Sequence, residues 1–111
     1  MPQAYKILGQ LNPTASTTLF TLYTVPASAA AVISSLCIAN IGASATTYRI
    51  AMRPASATAV ANQHYLAFDA ALPGNDTTIL TLGASLETGG VVSVYAGSTA
   101  VSVSAFGVEI T

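Results

Sequence analysis

Residues Thr46–Arg53 read TTYRIAMR and carry the clearest secondary-structure signal in the chain. Every second side chain from Tyr48 to Met52 is apolar, and threonine, arginine and alanine occupy the positions between them. This period of two places apolar and polar side chains on opposite sides of an extended backbone. The segment therefore predicts a β-strand with one buried face.

Runs of the same kind recur on both sides of this segment, and each is rich in β-branched and aromatic residues. They lie at 19–25, 32–40, 64–69, 77–82, 91–96 and 101–110, with a weaker one at 5–8. Turn-forming residues separate them, such as Pro73-Gly74-Asn75-Asp76 and Gly89-Gly90. Seven to eight short antiparallel strands at this spacing predict an all-β fold, a single β-sandwich of jelly-roll or immunoglobulin-like type.

Two segments depart from the regular pattern. Residues 55–63 can be interpreted as a short alanine-rich helix or as a long loop that crosses between sheets. In the last run, the first valines set one apolar phase, and the apolar residues from Phe106 onward set the opposite one. A β-bulge or bend near residues 105–107 would switch the apolar face, and Gly107 is a residue type that such sites favour.

Charged residues make up only 6% of the 111 residues, whereas an ordinary soluble domain carries about 25%. The chain is 52% hydrophobic, so it should fold rather than stay disordered. Three cations cannot supply the phosphate contacts of a nucleic-acid-binding protein. Seven charges leave about one per 800 Å² of folded surface, which is about the area that one partner buries in a standard interface. We therefore expect the chain to work inside an assembly.

Membrane insertion and a disulfide framework are both excluded on sequence grounds. The most apolar window, residues 19–39, contains Pro26 and several serines and has no uninterrupted apolar run of the roughly 20 residues that cross a bilayer. The first eighteen residues lack the pattern of a secretory signal. Cys37 is the only cysteine, so it has no partner within the chain.

Residues that could carry chemistry are few and scattered. A triad of His64, Asp69 and one of eleven serines can be drawn, but the Gly-x-Ser-x-Gly motif is absent. A calcium site built from Asp69, Asn75 and Asp76 lacks the alternating oxygen ligands and closing glutamate of such loops, and a turn explains Asp76. We therefore predict no catalytic residue, no bound cofactor and no metal.

Arg49 and Arg53 lie on one face of the 46–53 strand, about 13 Å apart. They either form weak pairs on a solvated face or pair with carboxylates of a neighbouring subunit, and we take both as candidate inter-subunit contacts. The five tyrosines could stack on sugars. Because there is no tryptophan and no aromatic cluster in the sequence, roles in the core or at an interface are favoured.

Residues 1–14 are expected to form an N-terminal docking arm, separate from a sandwich domain at 15–111. Pro2 and Pro13 limit ladder pairing, whereas Tyr5, Ile7 and Leu8 would be costly to leave in water. The arm should therefore need a partner surface, and these three apolar residues are its candidate contacts. We expect it to be a docking element rather than a strand of the sandwich.

Several strings in the chain resemble small virion-associated proteins of tailed bacteriophages, including those of cyanobacteria. They are LYTVPA at 22–27, the segments 34–40 and 45–53, VSVYA at 92–96 and AFGVEI at 105–110. The resemblance implies a β-sandwich that coats or cements a capsid, or a tail-fibre or baseplate module, usually as a homotrimer. It implies no catalytic residues.

Together these observations predict a capsid decoration or cement protein on the exterior of the virion. It would bridge neighbouring subunits of the major capsid protein and so stabilise the assembled shell by mass action. The low charge density and the resemblance predict a closed homo-oligomer, with a trimer as the expected form. The alternative is a tail-fibre or baseplate module, or a receptor-recognition module that binds glycans.

Overall fold

Eight antiparallel strands form two four-stranded sheets that pack face to face in the computed structural model, which describes residues 3–111. The strands are β1 (Gln3–Leu11), β2 (Thr18–Thr24), β3 (Ala30–Asn40), β4 (Thr46–Arg53), β5 (Tyr65–Leu72), β6 (Thr77–Leu86), β7 (Val91–Ala96) and β8 (Val101–Ile110). The first sheet has the order β1-β8-β3-β6, and the second sheet has the order β2-β7-β4-β5. The prediction of an all-β sandwich is confirmed.

The strand pairings are nested. β1 pairs with β8, β2 with β7, β3 with β6 and β4 with β5, so the chain follows the path of one long hairpin rolled onto itself. Eight strands with this connectivity in two sheets form a jelly roll, which selects between the two sandwich types that the sequence left open.

Alternation within the strands builds the core between the sheets. Ile33, Leu36 and Ile38 of β3 face Ile50 of β4 and Val94 of β7, and all five side chains are fully buried. The bounds of β4, β7 and β8 agree with the alternation in the sequence, whereas β1 and β6 extend beyond it. Within residues 3–111, no helix is long and apolar enough to span a membrane.

Residues 55–63 form a loop with a single 3-10 turn at Asn62–His64 near its end. The loop does not cross between sheets, because β4 and β5 on either side of it are paired neighbours in the second sheet. That interpretation was wrong because strand order decides which sheet a connection enters, and single-strand alternation carries no information on strand order.

β8 keeps one continuous alternation, and its apolar face does not switch as predicted. The inward positions at its end are Gly107 and Glu109, so the side chains of Phe106, Val108 and Ile110 point outward. The irregularities lie opposite residues 105–107, as predicted, but in the neighbouring strands β1 and β3 and not in β8. Leu8 of β1 and Ser34 of β3 are the extra residues there, and the Ser34 hydroxyl donates to the Phe106 carbonyl at 3.0 Å.

The prediction that the N-terminal arm lies outside the sandwich is wrong. Gln3–Leu11 forms the edge strand β1 and pairs with β8 along its whole length. Pro13 follows the strand and Pro2 precedes it in sequence, so neither proline removes a donor within it. Met1 and Pro2 lie outside the described residues.

Candidate functional site

Among residues 3–111, the outer face of the first sheet carries no charged side chain. Residues directly opposite each other in an antiparallel pair share a face, so the pairings identify the outward set. It includes Tyr5 and Ile7 of β1, Phe106, Val108 and Ile110 of β8, Val32 and Cys37 of β3, and Ile79 of β6, with serine, threonine, alanine and glutamine between them. We call this surface the uncharged face.

All seven charged residues lie elsewhere. Lys6 and Glu109 point to the inner side of the first sheet, Arg49, Arg53 and Asp69 lie on the second sheet, and Asp76 and Glu87 lie in connections. On the uncharged face, Tyr5 is 80% exposed, Ile79 65% and Ile7 52%. Tyr5 and Ile7 lie on the edge strand β1, and Ile79 lies on the opposite edge strand β6. Large exposed apolar side chains on a sheet face without charges make that face a candidate interaction site.

Two of the three predicted contact residues of the arm lie on the uncharged face. Tyr5 and Ile7 point outward, opposite Val108 and Phe106 of β8. Leu8, the extra residue of the β1 bulge, packs against the core instead. The structure therefore separates Leu8 from the other two residues.

A buried group on the other side of the same sheet ties the two sheets together. The Tyr23 hydroxyl of β2 donates to Glu109 Oε2 of β8 at 2.5 Å, and Lys6 Nζ of β1 lies 2.7 Å from Glu109 Oε1. The hydrogen bond from Lys6, followed by that from Tyr23, lowers the pKa of Glu109 below its ordinary value. Burial, followed by the adjacent carboxylate, raises the pKa of Tyr23.

Arg49 is the centre of a second cluster, on the outer face of the second sheet. Its Nε donates to Asp69 Oδ1 at 2.6 Å and its Nη2 donates to Asp69 Oδ2 at 3.2 Å. The guanidinium carbon lies 4.0 Å from the ring centre of Phe68 and 4.2 Å from that of Tyr95. The Tyr65 ring meets Phe68 edge to face, with the ring centres 5.0 Å apart. We call these five residues the Arg49 cluster.

The backbone of β5 shapes this cluster. Two residues, Phe68 and Asp69, stand opposite one position of β4, and Asp69 has a φ of 51°, in the left-handed region. Aspartate tolerates that region better than most residues, and the bulge turns both side chains toward Arg49. The hydrogen bond from Arg49 lowers the pKa of Asp69, and the same bond raises the pKa of Arg49.

Arg53 also has a partner in its own chain. Its Nη1 donates to the Ala57 carbonyl at 2.6 Å and so holds the loop between β4 and β5. Both arginines therefore make intrachain contacts, which the sequence left open. Their role as inter-subunit contacts stays a prediction.

Three of the candidate triad and calcium side chains, those of His64, Asp69 and Asp76, are engaged by other partners. His64 is buried, and its Nδ1 accepts from the Ala61 backbone N–H at 2.9 Å. Asp69 is engaged by Arg49, and Asp76 Oδ1 accepts from the Thr77 N–H at 2.9 Å. No group of three or more histidine, cysteine or carboxylate side chains in the described part of the chain is placed to hold a metal ion.

The Arg49 cluster was missed by the sequence analysis, which saw no aromatic cluster. Tyr23 and Tyr48 do lie in the core, as was favoured, but Tyr65 and Tyr95 belong to the second sheet's outer side. The pairing of Arg49 with Tyr95 follows from the β4–β7 register, which no local pattern reveals. The only signal in the sequence was the outward arginine itself.

Comparison of the chain with protein-family models, with curated proteins and with solved structures found no match. The resemblance to virion proteins of tailed bacteriophages therefore depends on the sequence strings quoted above.

Proposed function

We propose that this chain is a structural subunit of a tailed-bacteriophage virion, a decoration or cement protein on the capsid exterior. It forms a closed homo-oligomer, a trimer, and bridges neighbouring subunits of the major capsid protein. The observation that carries the proposal is the uncharged face of the first sheet, where Tyr5, Ile7 and Ile79 are exposed.

The size and chemistry of this face support burial against protein. Four strands at about 4.8 Å spacing and about nine residues at about 3.3 Å give a flat area of roughly 550 Å². That is of the same order as the roughly 800 Å² that each partner buries in a standard interface. Covering it desolvates no ion, so the cost that opposes burial of charged surface is absent.

The virion setting is supported by the resemblance and by the architecture. Jelly rolls are used in viral capsid domains and also in lectin domains, so the fold agrees with the setting without selecting it. A cement protein acts by binding only the assembled lattice, which stabilises the lattice by mass action. No catalytic group is needed for this role.

The test is the copy number of the chain in purified virions, measured by quantitative mass spectrometry. A decoration protein repeats across the shell, so we expect hundreds of copies, and particles that lack it should burst at lower temperature or osmotic stress. A count in the tens or fewer, with unchanged shell resistance and lost adsorption, would overturn the proposal in favour of a tail-fibre or baseplate module.

A further inference from the structure

We propose that the Arg49 cluster binds a neutral sugar residue of a glycan, with the Phe68 ring as the stacking surface. This site lies on the second sheet, whereas the uncharged face lies on the first. An assembly contact through the uncharged face of the first sheet leaves this site open, whereas an inter-subunit contact at Arg49 would cover it.

The surface beside Phe68 forms a shallow hollow that is open to solvent. A hollow of about 440 Å³ is lined by Asn62, Tyr65 and Phe68. Small-molecule sites usually measure about 300–1,000 Å³, so the hollow is large enough for a ligand. Phe68 is 55% exposed, with the Arg49 guanidinium over one part of its ring and the Tyr65 ring perpendicular to it. The exposed part of this fixed apolar ring is open to a ligand.

The cluster holds its rings in place before any ligand arrives. Arg49 lies against both Phe68 and Tyr95, and two hydrogen bonds to Asp69 fix the plane of its guanidinium. A side chain already fixed in its bound position loses little entropy when a ligand binds. This matters for sugars, because their contacts are individually weak.

Polar groups at the rim match the hydroxyl groups of a sugar. The Asp69 side chain is 47% exposed, so its carboxylate keeps acceptor capacity beyond the Arg49 bonds. The Asn62 side chain makes no hydrogen bond within residues 3–111 and offers both a donor and an acceptor. A pyranose presents C–H groups on one face and hydroxyls at its edge, which suits a ring bordered by these groups.

Charge at the site selects against anionic ligands. Arg49 and Asp69 neutralise each other, and no further cation lies on the lining of the hollow. A nucleic-acid base could stack on Phe68, but the neighbouring phosphates would find no basic partner. A neutral hexose or N-acetylhexosamine is the ligand that this balance favours.

The experiment is a titration of the full chain with methyl glycosides of glucose, galactose, mannose and N-acetylglucosamine, followed by amide NMR shifts. We expect at least one glycoside to shift amides in the segment 62–69, with a dissociation constant of about 10 mM or tighter. Uridine is the competing probe. Absence of shifts with all four glycosides, or tighter binding of uridine than of every glycoside, would overturn the proposal.

Variants distinguish stacking from general surface contact. Phe68→Ala and Phe68→Leu should each weaken binding about tenfold or more, since both remove the aromatic face. Asn62→Ala leaves the Arg49 cluster intact and should weaken binding by a few-fold. Tyr5→Ala, at an exposed aromatic position on the opposite sheet, should bind as the wild type does. Equal losses in Phe68→Ala and Tyr5→Ala would contradict the assignment, and neither result bears on the copy number in virions.

Discussion

Glu109 is a carboxylate at an inward position of β8, where a β-sandwich normally buries an apolar side chain. Each carboxylate oxygen of Glu109 has one partner. Oε2 accepts from the Tyr23 hydroxyl across the core, and Oε1 pairs with Lys6 Nζ on the neighbouring strand β1. A buried charge left without partners is strongly destabilising, so the group is stable only while these contacts persist.

Tyr23→Phe should lower the free energy of unfolding by about 1–2 kcal/mol, since it removes a hydrogen bond to a charged acceptor while the Lys6 contact remains. Urea denaturation with fluorescence or circular dichroism measures the change. Tyr5→Phe is the matched control, because the Tyr5 ring is exposed and its hydroxyl makes no hydrogen bond in the described residues. Equal stability of the two variants would contradict the inter-sheet role of Tyr23.

The pH dependence of stability follows from the lowered pKa of Glu109. Its pKa in the folded state lies below the ordinary value of 4.5, because the hydrogen bonds from Lys6 and Tyr23 favour the carboxylate. The resulting stability is fully present above that ordinary value and is lost as the pH falls through the folded-state pKa. Glu109→Gln should therefore reduce the loss in the free energy of unfolding as the pH falls from 7 to 2.

Glu87→Gln controls for the change in net charge, since it removes a carboxylate that makes no ion pair within the described segment. If the free energy of unfolding falls as steeply with decreasing pH in Glu109→Gln as in the wild type, other carboxylates govern acid unfolding. Asp69, whose pKa is also lowered, is the next candidate in that event.

The strands themselves were largely predictable from the sequence, because each buries one face and so alternates. β4, β7 and β8 follow from Thr46–Arg53, Val91–Ala96 and Val101–Ile110 alone. The sheet order and the inward position of Glu109 were not predictable, since both depend on which distant strand lies alongside. β1 was predicted as an arm and not as a strand of the sandwich for the same reason. Its residues are mostly exposed and alternate weakly, and its pairing with the distant β8 has no local signal.

Bulges beside β8 set the shape of the first sheet. The Gly107 position faces the Val32 carbonyl so closely that a Cβ atom would overlap it. Gly83 of β6 differs, because a Cβ atom there would meet open space, but its φ of 89° lies in the left-handed region. The two glycines are therefore required for different reasons, space at one and backbone conformation at the other.

Gly107→Ala should destabilise the fold by about 2–4 kcal/mol, since the strand must move away from β3. Gly83→Ala should cost only about 1–2 kcal/mol, the penalty for a side chain in the left-handed region. Thermal unfolding of both variants makes the comparison. A larger loss of stability in Gly83→Ala than in Gly107→Ala would show that β8 and β3 can separate enough to accept a Cβ atom at position 107.

Removal of residues 1–11 should lower the melting temperature and cause aggregation. Without β1, the edge of β8 presents unpaired backbone groups beside outward Phe106, Val108 and Ile110, a template for pairing with another chain. Size-exclusion chromatography and thermal unfolding measure both effects. A truncated chain that stays as stable and dispersed as the full chain would restore the view of this segment as a separable arm.

On the scale of the whole molecule, the two outer faces of the sandwich differ in chemistry. The second sheet presents an ion pair among aromatic rings, and the first presents no ion at all. An association that uses the first sheet should therefore depend little on ionic strength, because screening acts on exposed charges.

Ile79→Lys should weaken self-association of the chain by placing a cation within the uncharged face, without a large change in melting temperature. Ile41→Lys is the matched control, since Ile41 is 67% exposed in the turn after β3 and Ile79 is 65% exposed. Native mass spectrometry at low and high salt measures both variants. A loss of oligomer in Ile41→Lys but not in Ile79→Lys would locate the interface elsewhere.

The nested pairing of the strands constrains the order in which a nascent chain can fold. β8 is the last of the eight strands to be synthesised, yet it lies between β1 and β3, which are complete long before it. Until it inserts, the ribosome-bound chain has a gap in one sheet and two strands with open edges. Pairings between sequence-distant strands also have a high contact order, which slows folding. The unfinished sandwich, in which Val101–Ile110 has not yet paired, is therefore the species most exposed to aggregation.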